Sequence, residues 1–284
     1  MSKYKMKHLG AILVLSLVMP VMSQAKVSPI EAPVIESVQN KWGMTLVKIH
    51  SGEFKMGLQD YTSALMDVPE PKKNELRDEL PRHTVKISKD FYIGQTEVTQ
   101  KQWLAIMENR PGPEKYWKQA NWESLPVVSI NWYMAQRFVE EINKMDDEFI
   151  YRLPSEAEWE YVARAGSAED RPIATENLES YAWFINNSGD EQQPVASRKA
   201  NAFGVHDMLG NVWEWVSDWY APDTYTKTTR QDPLGPENGQ ARVRRGGSYH
   251  CQIHLMRPGY RAANKPDVAY EVTGFRVVAE KNRK

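Results

Sequence analysis

Residues 167–240 carry turn formers throughout and no sustained apolar period, yet they hold several of the chain's ten tryptophans. A loop region of that length inside a compact domain has to be pinned by something. Buried indoles, each removing a large area from water, and a bound cation are the candidates. The 284-residue chain is 41% hydrophobic and 26% charged, which suits one large or two small domains and excludes intrinsic disorder or a fibrous repeat. The net charge of −1 gives no nucleic-acid footprint. A single cysteine, Cys251, rules out an intramolecular disulfide and any zinc site built on two thiolates.

The amino terminus reads as a leader. Lys3, Lys5 and Lys7 precede an apolar run from Leu9 to Met22, and Ser23-Gln24-Ala25 offers small residues where a signal peptidase reads. The run falls short of the ~20 residues a spanning helix needs. Residues 1–25 are therefore expected to be a cleaved signal peptide, residues 26–41 an irregular arm, and residues 42–284 one domain. The destination is the periplasm or the exterior, with no membrane span. An anchoring helix is the plainer alternative.

Thr45–Ile49 and Glu53–Gly57 read as two strands around Ser51-Gly52, a hairpin signal. Asp60–Arg82, rich in Pro, Glu and Lys, reads as a surface loop. His83–Ser88 alternates like a strand, and Phe91-Tyr92-Ile93 follows. Thr99 with Gln102, and Ser155 with Glu158, have the spacing of capping boxes, and Asn131 suits a third helix start. Ala135, Phe138, Val139 and Ile142 then mark one helical face. Gly166 is a terminator. Short strands are expected at Arg242–Arg245 and Gly274–Ala279. The class is α+β, with few helices, short strands and much ordered loop.

Four segments together carry a resemblance: Tyr151-Arg152-Leu153-Pro154-Ser155-Glu156-Ala157-Glu158-Trp159-Glu160; Asn201 through Trp215, with Asp207-Met208-Leu209-Gly210-Asn211-Val212-Trp213-Glu214 at its heart; Arg245-Gly246-Gly247-Ser248; and Gly274-Phe275-Arg276. The chain resembles the sulfatase-modifying-factor family, whose founding activity is the formylglycine-generating enzyme. The resemblance runs from about residue 42 to 280 and implies a C-type-lectin-like fold.

On chemistry alone, Asp207 and Glu214 are hard oxygen ligands, and Gly210 lets backbone carbonyls turn inward, a donor set that suits calcium. The resemblance implies calcium held through Asp207, Gly210, Val212 and Glu214. The plainer reading has Asp207 capping a turn and Glu214 pairing with an arginine. A second family calcium site, in the loop at Asn186–Asp190, is left open. The founding enzymes oxidise a client cysteine with oxygen and copper(I) held by two cysteines. The resemblance places Cys251 at the first copper position and Met256 at the second, so a bis-thiolate centre cannot form. A copper site with Cys251 and Met256 remains an expectation, against which Cys251 and Met256 are simple packing residues. His250 and His254 read as surface or hydrogen-bonding histidines. The resemblance also sets Trp213 and Ser248 beside Cys251 in a cleft. Arg257, Arg261 and Arg276 are expected to hold loops through carboxylate pairs.

The expected function is an exported, oxidative modifying enzyme acting on a protein, a peptide or a peptide-derived small molecule. Strict formylglycine generation on a sulfatase cysteine, and a non-catalytic calcium-braced binding module, are the alternatives. The sequence leaves the oligomeric state open.

Overall fold

The computed structural model describes residues 35–59, 74–227 and 229–282. The expected leader, residues 26–34 of the expected arm and the first part of the Asp60–Arg82 loop lie outside these. Among the described residues no helix is long and apolar enough to cross a membrane.

Three sheets form. Strands β1 (Ser37–Gln39), β2 (Thr45–Ile49), β5 (Phe91–Gly94), β6 (Phe149–Arg152) and β11 (Val278–Lys281) build an antiparallel sheet in the order β1-β2-β5-β11-β6. Strands β7 (Trp213–Trp219), β8 (Arg242–Arg245), β9 (Ala262–Asn264) and β10 (Thr273–Phe275) build a second in the order β10-β7-β8-β9. Strands β3 (Gly52–Met56) and β4 (His83–Ile87) pair with each other. The mixed α+β class with few helices and short strands is what the sequence implies.

Three details differ from expectation. The two strands around Ser51-Gly52 form but do not make a hairpin: β2 pairs with β1 and β5, whereas β3 pairs with β4. The backbone N–H of Ser51 donates to Asp90 Oδ1 at 2.8 Å, so the turn is tied to the start of β5 and the chain crosses between sheets. The stretch 274–279 splits into β10 and β11, which lie in different sheets, because Arg276 between them turns into the core. The arm contributes β1 to the sheet edge, and the loop before β4 carries a buried residue, Glu79.

The helix starts follow the local chemistry. In α1 (Gln100–Met107) the Thr99 hydroxyl accepts from the Gln102 N–H at 3.2 Å, and the Gln102 side chain accepts from the Thr99 N–H at 2.9 Å. Asn131 caps α2 (Trp132–Met145), accepting from the Met134 N–H at 2.9 Å. The Ser155–Glu158 box opens α3 (Glu156–Arg164). Ala165 ends α3 in the left-handed conformation at φ 45°, one residue before the expected Gly166, itself at φ 86°.

Apolar packing gathers in three clusters. Trp103, Phe138 and Phe275 join α1, α2 and β10, with Trp103 and Phe138 stacked at 5.6 Å. Trp159, Val162, Val216 and Tyr225 seat α3 against β7. A small third cluster holds Leu178, Ala182, Phe184, Leu209 and Met256, with Cys251 packed at its side.

Buried ion pairs tie the loops to these clusters. Glu156 and Glu160 of α3 meet Arg245, Arg261 and Arg164, and Glu79 meets Arg257 through two bonds of 2.8 Å. Glu156, Glu160 and Arg164 recur every fourth residue, a stripe that sequence rules assign to solvent. Here it faces inward because arginines from β8 and the 257–261 loop neutralise it. A single unpaired member would be costly to bury, so the loops are held where their partners are.

Candidate functional site

The 207–215 segment is a turn feeding a strand. Asp207, Gly210 and Asn211 all have positive φ, at 57°, 82° and 51°. At Gly210 a Cβ would strike the Trp183 carbonyl, so only glycine lets these segments touch. The Asn211 N–H donates to that same carbonyl at 2.8 Å, anchoring part of the loop-rich region. Both carboxylates point inward. Glu214 is wholly buried, and its two oxygens accept from Arg276 Nε and Nη2 at 2.7 Å each, while Oε2 also accepts from Trp159 Nε1 at 2.8 Å. Asp207 Oδ2 accepts from the Ala196 N–H at 2.7 Å, and its Oδ1 is buried without a partner. Burial pushes the Asp207 pKa up to about 6. Beside it lies a residue the sequence did not flag, Glu97. It is buried with both oxygens unpartnered, and its pKa is raised first by burial and then by the Asp207 charge.

Ser248, Cys251 and Met256 converge beyond β8. Gly246 and Gly247 have φ of 96° and 79°, and a Cβ on Gly247 would run into Met256 Cε. That close approach seats the Met256 thioether under the turn, where Met256 is buried. The Cys251 N–H donates to the Ser248 carbonyl at 2.8 Å, closing a tight turn, and Ser248 Oγ lies 3.4 Å from Cys251 Sγ. Ser248 is buried, and Cys251 is half-buried and free. His250 pairs with the exposed Asp190, and His254 is buried in the turn preceding Arg257. Within Asn186–Asp190, Asn187 and Ser188 bond to nearby backbone.

Trp213 is buried and forms a wall with residues the sequence did not single out. The Arg244 guanidinium lies 4.9 Å from the Trp213 ring and 5.2 Å from the Tyr270 ring. Tyr260 packs against Trp213 at 6.0 Å. Burial draws the Arg244 pKa below its usual value, and Cys251 lies within electrostatic reach of it. Trp215 instead packs into the core, donating to the Ile130 carbonyl at 3.2 Å. A separate cleft of about 700 Å³, lined by Trp219, Arg242, Leu234 and Glu237, contains none of the site residues expected from sequence.

Neither expected metal is fully provided for. Asp207 Oδ1 is a buried oxygen in need of a partner, as calcium would supply. Glu214, however, is already gripped by Arg276, so a cation would have to share it with a guanidinium. Among the described residues no three His, Cys, Asp or Glu side chains are grouped to hold a metal ion. Cys251 and Met256 are neighbours, but one thiol and one thioether do not fit a bis-thiolate copper(I) centre.

This geometry has relatives. Residues 31–281 match the family model described as a sulfatase-modifying factor enzyme 1-like domain. The formylglycine-generating enzyme of Thermomonospora curvata is 32% identical over 206 residues, 63% of this chain and 64% of that protein. The chain thus spans less than two thirds of that relative's length. Among solved structures, PvdO from Pseudomonas aeruginosa superposes with a TM-score of 0.74 at 25% identity, over 86% of this chain and 98% of its own. Treponema denticola variable protein 1 superposes with a TM-score of 0.70 at 27% identity, over 87% and 99%. The match covers nearly all of the described residues, and the chain belongs to the family of sulfatase-modifying factor enzyme 1-like domains.

Proposed function

We propose that this chain is a divergent modifying enzyme of its family, exported from the cytoplasm, acting on a peptide or peptide-derived molecule at the Cys251 face. The observation that carries the reading is the placement of a half-exposed thiol 3.4 Å from the Ser248 hydroxyl, against an apolar cluster on one side. Arg244, with Trp213 and Tyr270 around it, lies within electrostatic reach of Cys251. A reactive atom, a hydroxyl and a wall of rings are what a small polar or peptidic ligand needs. The similarity to the T. curvata enzyme supports a modifying role. The lone cysteine argues that the scaffold was kept without the bis-thiolate copper chemistry.

Two incubations test this. A cysteine peptide with the protein, copper(I) and oxygen should yield no aldehyde detectable by hydroxylamine capture and mass spectrometry. Aldehyde formation that depends on Cys251 would install strict formylglycine generation instead. A library of exported-protein peptides should show a mass change with the wild type that is absent with Cys251→Ala. Identical products from both proteins would remove Cys251 from the chemistry.

A further inference from the structure

We propose that Arg244 recognises a carboxylate of the ligand beside Cys251, receiving it on the unpaired edge of its guanidinium. The inference deepens the proposed function and rests on the Cys251 face being the site. It begins with strand alternation, which sends neighbouring arginines of β8 to opposite faces. Arg245, opposite Glu214 in the β7–β8 register, turns into the protein and meets Glu156 and Glu160. Arg244, opposite Trp215, turns the other way, toward Trp213 and Tyr270.

The two arginines differ in how their charge is met. Arg164, Arg245, Arg257, Arg261 and Arg276 are buried and each holds a carboxylate. Arg244 is half-buried between rings, and among the described residues it forms no ion pair. Its Nη1 donates to Thr273 Oγ1 at 2.9 Å. Its Nε is buried without a partner, as are those of Arg242 and Arg245, and among the described residues the guanidinium bonds to Thr273 alone. Nε and Nη2 share one edge of the guanidinium, the fork that takes a carboxylate through two bonds. Burial depresses the Arg244 pKa, and only the Cys251 thiol and the Tyr270 and Tyr260 phenols act against that. A desolvated guanidinium with no anion is costly to keep, and a ligand anion removes the cost. The nearby Arg257, over the Tyr260 ring, is already paired with Glu79, so the site suits a singly charged carboxylate better than a dianionic phosphate.

The single cysteine makes the test direct. Alkylation of Cys251 by iodoacetate, which brings a carboxylate, is compared with alkylation by neutral iodoacetamide. In each case the thiolate displaces iodide, so the ratio of the two rates cancels the thiolate fraction. Relative to N-acetylcysteine in the same buffer, the wild-type ratio should be raised about tenfold, the scale of one charge-assisted hydrogen bond. It should fall to the N-acetylcysteine value in Arg244→Met and partly recover in Arg244→Lys. A ratio unchanged by Arg244→Met, with iodoacetamide still reacting, overturns the carboxylate proposal and leaves the Cys251 face standing. Failure of both reagents on the folded protein, with full reaction after denaturation, overturns the Cys251 face itself. Should the variants fold poorly, succinate added to wild type should slow iodoacetate while neutral succinamide does not. Equal effects of the two would also refute the proposal.

Discussion

Replacing Glu214 with Gln should destabilise the fold strongly, and to the same extent in calcium and in chelator. Glu214 and Arg276 are both fully buried, joined by two bonds of 2.7 Å. Arg276 also donates to the Gly94 and His206 carbonyls at 3.0 Å, so it links β5, the 207 turn and β7 at the joint between two sheets. Glutamine keeps the shape and loses the charge. Its amide nitrogen must then face a guanidinium N–H in either orientation, and in one of them the Trp159 Nε1–H as well. Removing one partner of a buried pair costs about 3–5 kcal/mol, because the other charge is left uncompensated. For a domain of this size that is roughly a 10 °C fall in Tm. Urea titration and thermal melts followed by circular dichroism, in millimolar calcium and in EGTA, make the measurement. Adding Arg276→Met to the variant should recover part of the loss. A fall of less than about 1 kcal/mol, well under the range for breaking a buried pair, would refute the reasoning. So would a fall confined to the calcium buffer, which would mean that Glu214 serves a cation first.

Other perturbations follow from the same geometry. Burial, and then the Glu156 charge, pushes the Asp218 pKa up to about 7 from the usual 3.8, so the folded state binds the extra proton between those values. Stability therefore falls as pH rises through that window, by at most on the order of 4 kcal/mol. Asp218→Asn should flatten this slope, and parallel urea-derived pH profiles for the two proteins would contradict the assignment. Gly247→Ala should cost about 3 kcal/mol, combining left-handed strain with displacement of Met256, and wild-type denaturation midpoints would show the contact to be soft. Calcium acting at the unpaired Asp207 Oδ1 should stabilise the wild type by about 1 kcal/mol at millimolar concentration. That gain should vanish in Asp207→Asn; equal wild-type melting in calcium and EGTA would remove the ion from the fold.

The sequence by itself determined the local events. Thr99, Asn131 and Ser155 start their helices because a cap needs only residues three positions apart. The glycines at 210, 246 and 247 turn the chain because no other residue tolerates those angles beside a packed neighbour. The segments that carry the family were legible for the same reason. The expectation that Arg257, Arg261 and Arg276 pair with carboxylates was also sound, but their partners Glu79, Glu156 and Glu214 lie far away in sequence. Only the tertiary structure decided that the Ser51-Gly52 turn joins two sheets and that the 274–279 strand breaks at Arg276. It also decided that the charged stripe of α3 faces inward, and that Arg245 holds two carboxylates while Arg244 has none among the described residues. A residue's neighbours along the chain set its backbone conformation, whereas the sign and distance of charges brought from other segments set its burial, and those depend on how the sheets meet.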